Sequence, residues 1–143
     1  MIKLVNKTNK NKGFSFIELM IAIMIFSVGI LGVGIMQMAS IKGNKSAFEL
    51  TSASFLASGK LEELMAKPFT HINLLDTNND GINGLKNNTI DTADHNEING
   101  KYTILWNIVN NHLLNNTKTI KVIVVWNSKK ELKNISFACI KAG

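Results

Sequence analysis

Polar and apolar positions divide the chain into stretches of different period. From Phe14 to Ile41 almost every position is apolar; Glu18 is the single charge, and none follows until Lys42. The uncharged run Leu19–Ile41 is long enough to span a bilayer as a helix. Beyond it, Ala47, Leu50, Ala53, Ala57, Leu61 and Leu64 recur at spacings of three and four, which predicts one apolar face of an amphipathic helix. Glu49, Lys60, Glu62, Glu63 and Lys67 mostly take the other positions, and Pro68 ends the helix. The pattern predicts one helix from Phe14 to Lys67, apolar all round and then one-faced, with Gly43 and Asn44 as a soft joint.

After Pro68 a segment rich in Asn, Asp, Thr and Gly runs to about Asn99, a length typical of functional or disordered loops. Alternation follows. Tyr102, Ile104, Trp106 and Ile108 share one side of a predicted strand, and Ile120, Val122, Val124 and Trp126 share one side of a second. A third run, Leu132–Ile140, places Ile135, Phe137 and Cys139 together, with Asn127–Lys130 as the preceding turn. These strands predict an antiparallel meander packed on the amphipathic half-helix. The two tryptophans read as core or sheet-face residues rather than a ligand box.

Size and charge narrow the classes. A chain of 143 residues is one domain plus something elongated. Lys3, Lys7, Lys10 and Lys12 precede the apolar run with no acid among them; removing those four from the net +6 leaves +2. The rest of the chain is nearly balanced, and every basic residue is Lys, so the bidentate Arg forks that read guanine or phosphate are missing. Direct nucleic-acid binding is not expected. Cys139 is the single cysteine, cannot form an intrachain disulfide, and reads as a small buried hydrophobe. His71, His95 and His112 lack metal-ligand spacing, and no nucleophile–base arrangement is evident, so no catalytic residue is assigned and no enzyme is expected.

A lysine-rich head before an apolar run suggests a secretory signal peptide, but the run is too long for one and no small-residue cleavage site follows it. A plain single-pass anchor accounts for the run but leaves Gly13 and Glu18 unexplained. "KGFSFIEL", Lys12–Leu19, resembles the type IV prepilin cleavage motif: a short basic leader ending in Gly, an aromatic residue, then a glutamate. The resemblance implies that a membrane-embedded prepilin peptidase cuts after Gly13 and N-methylates Phe14, and that the apolar segment is retained. Glu18 then lies in the first helical turn, favoured by the helix dipole. The dipole alone does not offset a charge in hydrocarbon. Cleavage creates the missing partner, the amino group of Phe14, from the same chain or a neighbouring subunit; losing one partner of a buried pair costs about 3–5 kcal/mol. The alternative is a Glu18 carboxylate that snorkels to the headgroups.

The resemblance implies the type IV pilin fold, an α+β arrangement with a long N-terminal α-helix on a small C-terminal antiparallel sheet. The expected divisions are a leader at 1–13, a transmembrane or filament-core helix at 14–41, an amphipathic half-helix at 42–67, an αβ loop at 68–99 and the sheet at 100–143. Within the family, "FSVGILGVGIMQM" (Phe26–Met38), "LASGKLEELMAKPF" (Leu56–Phe69) and the strands "YTILWNIV" and "TIKVIVVW" resemble PilV-like minor pilins. Major pilins of this family usually carry a proline near the depth of Gly29, Gly32 and Gly34. These glycines supply similar softness or are the ordinary glycines of a membrane helix.

The implied function is structural. A minor pilin would be processed at the bacterial inner membrane, N-terminus cytoplasmic and C-terminal domain periplasmic, then incorporated into a type IV pilus at the cell surface, in a tip or assembly-priming complex. Its partners would be other minor and major pilins, the prepilin peptidase, the inner-membrane assembly platform and, before assembly, the lipid bilayer. An I-type pseudopilin of type II secretion is the alternative within the class. A membrane-anchored module that binds calcium or another ligand is the alternative outside it.

That last reading rests on "DTNNDGINGL", Asp76–Leu85. Asp76, Asn78, Asp80 and Gly81 match the opening of an EF-hand loop, and the Ile82 carbonyl would follow. Asn87 stands where the loop's bidentate acid belongs; Asp91 or Asp94 would have to return with a carboxylate, His95 beside them. Ca²⁺ is thus a candidate cofactor, with a series of Asx turns as the competing account and no cofactor required for the structural function.

Overall fold

The computed structural model describes residues 13–129 and 131–143. Apart from Gly13, the expected leader lies outside the described residues. The chain divides into two compact units, one ending at Gly43 and the other starting at Asn44.

The first unit is the opening part of one α-helix, α1, Phe16–Ala66. Through Gly43 every described residue is exposed, including Phe26, Leu31 and Met36. The helix is long and apolar enough to cross a bilayer. Gly29, Gly32 and Gly34 do not interrupt it, and nothing lies within 4 Å of a Cβ added at any of them. Ser27 returns its hydroxyl to the Ile23 carbonyl at 2.7 Å, which satisfies it without water.

The second unit, from Asn44, holds the rest of α1 and four strands: β1 His95–Asn99, β2 Tyr102–Asn110, β3 Thr117–Ser128 and β4 Glu131–Ala142. They form one antiparallel sheet in the order β1-β2-β3-β4. Tyr102 pairs with Trp126 and Ile108 with Ile120; Val124 pairs with Ile135 and Ile120 with Cys139. Ala53, Ala57 and Leu64 of α1 meet Ile104, Trp106, Ile108, Ile120, Val122, Val124 and Trp126 in one core, with Ile135 and Cys139 at its margin. Two alanines on the helix let the backbone approach the sheet closely. This long helix with a four-stranded antiparallel sheet on its second half is the α+β layout of the type IV pilin fold.

Three features depart from the expected pattern. Ala47 and Leu50 are exposed; the buried stripe starts instead at Glu49 and includes Lys60. Both charges have partners in the sheet, which period alone cannot reveal. The sheet begins at His95 rather than residue 100, inside the expected loop. β1 is an edge strand with four of its five side chains exposed, so it carries no apolar alternation to read. Finally, β2 and β3 are buried on both faces: Leu105, Asn107, Val109 and Ile123 are buried as well, and the loop that joins α1 to β1 reaches Leu105 and Asn107.

That loop is compact. Two short 3₁₀ turns, Ile72–Leu74 and Gly81–Lys86, replace open coil. Asn79, Asn111, Asn116 and Lys129 take the left-handed conformation at its bends and in the hairpin turns. Asparagine tolerates that region better than most residues.

Candidate functional site

The candidate residues fall in separate places. Gly13 and Phe14 precede α1 in irregular, exposed backbone, as a cleavable peptide bond requires. Glu18 stands in the first turn of α1, where its amide donates to the Ser15 carbonyl at 3.0 Å. Its carboxylate is on the side of the helix dipole that favours negative charge. Phe14 and Phe16, beside it, are 86% and 77% exposed. An apolar surface of this kind, interrupted by one carboxylate, fits an environment supplied by lipid or other helices.

The acidic loop brings together three of its expected residues. Carboxylate oxygens of Asp76, Asp80 and Asp94 lie within 4.8 Å of one another. Asp94 is the fixed member: it accepts from the Thr77 amide at 2.9 Å and, through its other oxygen, from the Ile108 amide of β2 at 2.8 Å. Asp76 accepts from the Gly81 amide at 3.1 Å. One oxygen of Asp76 and one of Asp80 are buried without any hydrogen-bond partner. Carboxylate oxygens this close to one another favour a cation among them.

The EF-hand arrangement itself is not formed. Asn78 is taken up by the Asp80 amide and the Thr92 carbonyl, the local bonding of an Asx turn. Asn87 donates its side-chain amide to Asp80 and to the Thr92 carbonyl. The Ile82 side chain is exposed, and Asp91 is exposed and outside the three-carboxylate group. His95 is not one of the three converging groups: it stacks on Trp106, centroids 5.3 Å apart, with its Nε2 3.0 Å from the Leu75 carbonyl. Residues Gly81–Lys86 wind into a 3₁₀ turn, which cannot wrap successive oxygens around one ion as an open loop does.

Two charge clusters escape sequence reading. Glu49, 4% exposed, accepts from Lys101 at 2.8 Å and from the Ser128 hydroxyl at 2.7 Å, while Tyr102 donates to its backbone carbonyl. The Lys101 and Ser128 hydrogen bonds hold its carboxyl down at about 2, against the opposing effect of burial. Lys60 bridges Glu97 of β1 at 2.6 Å and Glu63 at 2.9 Å, with its ammonium 4.5 Å from the Trp106 ring. Burial pushes Lys60 down, but the two carboxylates outweigh it and hold the group above its ordinary value. Lys60 and Lys67 keep Glu63 below the usual carboxylate range. The signal for both clusters is present but faint: Glu49 and Lys60 stand four and three residues from the alanines that face the sheet.

Asn107 was also hidden. It is fully buried between Trp106 and Ile108 in sequence, accepts from the Asp94 amide at 3.0 Å and donates to the Asn87 carbonyl at 3.1 Å. A lone amide inside an apolar strand is the cue that it pairs with backbone from another segment. Here it fastens the Asn87–Asp94 part of the loop to β2. Cys139 is half-buried, with burial raising its thiol, and its sulfur lies 3.4 Å from that of Met65.

Residues 8–34 match the family model described as the prokaryotic N-terminal methylation motif. The match spans Lys10, Lys12, Gly13, Phe14, Glu18 and the first part of the apolar helix. It supports a type IV pilin-like, prepilin-type chain that is processed by a prepilin peptidase, anchored in a membrane by its apolar helix and assembled with other pilins. The motif is that of structural rather than enzymatic chains. No curated protein and no solved structure matches the chain.

Proposed function

We propose that this chain is a minor pilin of the PilV-like kind, cut after Gly13, N-methylated on Phe14 and packed helix-first into a type IV pilus, in a complex that primes or caps the filament. The observation that carries this reading is the coincidence of the Gly13–Phe14 motif with a helix whose apolar stretch buries nothing within its own unit. Glu18 acts as a registry group. It pairs with the methylated amino end of an adjoining subunit, and the apolar helices then exchange lipid contacts for protein contacts. The chain is itself the substrate of an enzyme and performs no bond chemistry. Before assembly it sits in the inner membrane with its sheet unit in the periplasm.

Intact-mass analysis of the membrane form tests the processing. Loss of Met1–Gly13 with gain of one methyl group is the expected result; an intact leader in a host that carries the peptidase overturns it. Recovery with sheared pili rather than with secretion machinery separates the pilus reading from the I-type pseudopilin.

A second reading concerns the loop: Asp76, Asp80 and Asp94 take a Ca²⁺ ion that fastens the αβ loop to β2. The buried, unpartnered oxygens of Asp76 and Asp80 favour it. Extracellular modules bind calcium at about 10⁻⁴–10⁻³ M, so three carboxylates with loop carbonyls form a sufficient set. A higher thermal midpoint of the full chain in millimolar calcium than in chelator is expected; identical midpoints would remove calcium from the account.

A further inference from the structure

The end of the sheet unit at which the chain enters is basic. Lys45 lies one turn before Glu49 and acts on its charge. Lys133 reaches Ser46 at 3.5 Å, so the start of β4 stands beside the first turns of the unit. Ser128 bonds Glu49, and exposed Lys129 follows it at the tip of the β3–β4 turn. Lys101, at the β1–β2 turn, completes the group. Against these lysines stand two acids. Glu49 is consumed by Lys101 and Ser128, which leaves exposed Glu131.

The apolar run ends at Ile41, and Lys42 follows it. Asn44 is three residues on, about 5 Å along a helix. The first turns of the sheet unit thus follow directly on the last apolar residue of the span; Lys45 is among them, and Lys133 lies beside Ser46. We propose that this lysine-bearing end binds the anionic phospholipid surface of the membrane and so holds the sheet unit against the bilayer before assembly. The inference rests on the membrane-anchored reading and goes beyond it, since an anchor alone requires no particular headgroup. Each lysine near an anionic surface contributes about fivefold to association, within about one Debye length.

Lysine acetylation of the full chain in lipid nanodiscs, followed by mass spectrometry, tests this. One set of discs is phosphatidylcholine; the other contains phosphatidylglycerol. In the anionic discs Lys45, Lys129 and Lys133 are expected to react about threefold more slowly or less, with the difference lost in about 0.5 M salt. Exposed Lys86, on the far loop, serves as the unchanged control. The double variant Lys129→Gln/Lys133→Gln should restore faster reaction at Lys45. Equal reaction in both discs overturns the proposal, as does protection by duplex DNA added to phosphatidylcholine discs without protection by phosphatidylglycerol. Failure of the chain to co-elute with either disc would instead break the anchored reading.

Discussion

The two parts of α1 on either side of Gly43 share one backbone and differ in what stabilises them. Before Gly43 no described residue is buried; after it, Glu49, Ala53, Ala57, Lys60 and Leu64 are. The second part is held by its own sheet. The first has only its internal hydrogen bonds, and an apolar helix of that kind is stable where lipid or other helices surround it. The difference teaches that a single element can serve two solvents. Its sequence changes from uniform apolarity to a stripe where the surroundings change from external to internal. Even the stripe is partly electrostatic, since two of its five buried members are charged and paired.

The largest expected break of this comparison is at Glu18. Glu18→Ala should leave leader removal nearly intact but lower the amount of chain in sheared filaments by at least about tenfold, given what an unpaired buried charge costs. Immunoblots of membrane and filament fractions measure both, and normal filament abundance would refute the registry role. Next comes packing. Leu64→Ala, at a fully buried position, should destabilise the sheet unit by about 2–5 kcal/mol. Ile25→Ala, in the part that buries nothing, should leave denaturant unfolding of the sheet unit unchanged. A comparable loss from both would mean that the first part is packed internally after all.

The smallest effect is a pH dependence. Glu49 is held at about 2, below the ordinary 4.5, so its contribution is complete above about pH 4.5 and is lost as the pH falls toward 2. Thermal midpoints between pH 6 and pH 3 should fall less steeply in Glu49→Gln than in the parent chain. Parallel curves would show that the Lys101–Glu49–Ser128 contact does not contribute.

Most of the fold was legible because it repeats. The apolar run, the helical stripe at Ala53, Ala57 and Leu64, and the alternation through β2 and β3 each extend over several periods, and each lies where its pattern predicts. What escaped depends on single partners far away in sequence. Glu49 looks solvent-facing until Lys101 and Ser128 arrive from the sheet. β1 has no apolar side to show, because backbone pairing with β2 and the Lys60–Glu97 ion pair hold it. The N-terminal candidates were legible as a local motif, whereas the loop showed only the opening of one. Asp76, Asp80 and Asp94 do converge, but Asn78 and Asn87 bond locally and Asp91 stays outside, since short polar side chains satisfy whichever backbone group is nearest.

The placement of the aromatic residues has an optical consequence. Trp106 and Trp126 are the chain's two tryptophans, and both lie in the sheet core, 4% and 3% exposed. Near them is Tyr102, the single tyrosine, tilted against Trp126 with centroids 5.9 Å apart. The apolar helix before Gly43 contributes only phenylalanines. Ultraviolet-excited emission from the full chain is therefore a signal from one unit alone. It follows the sheet through unfolding, acid or calcium while remaining blind to whether the apolar helix lies in detergent, lipid or a filament.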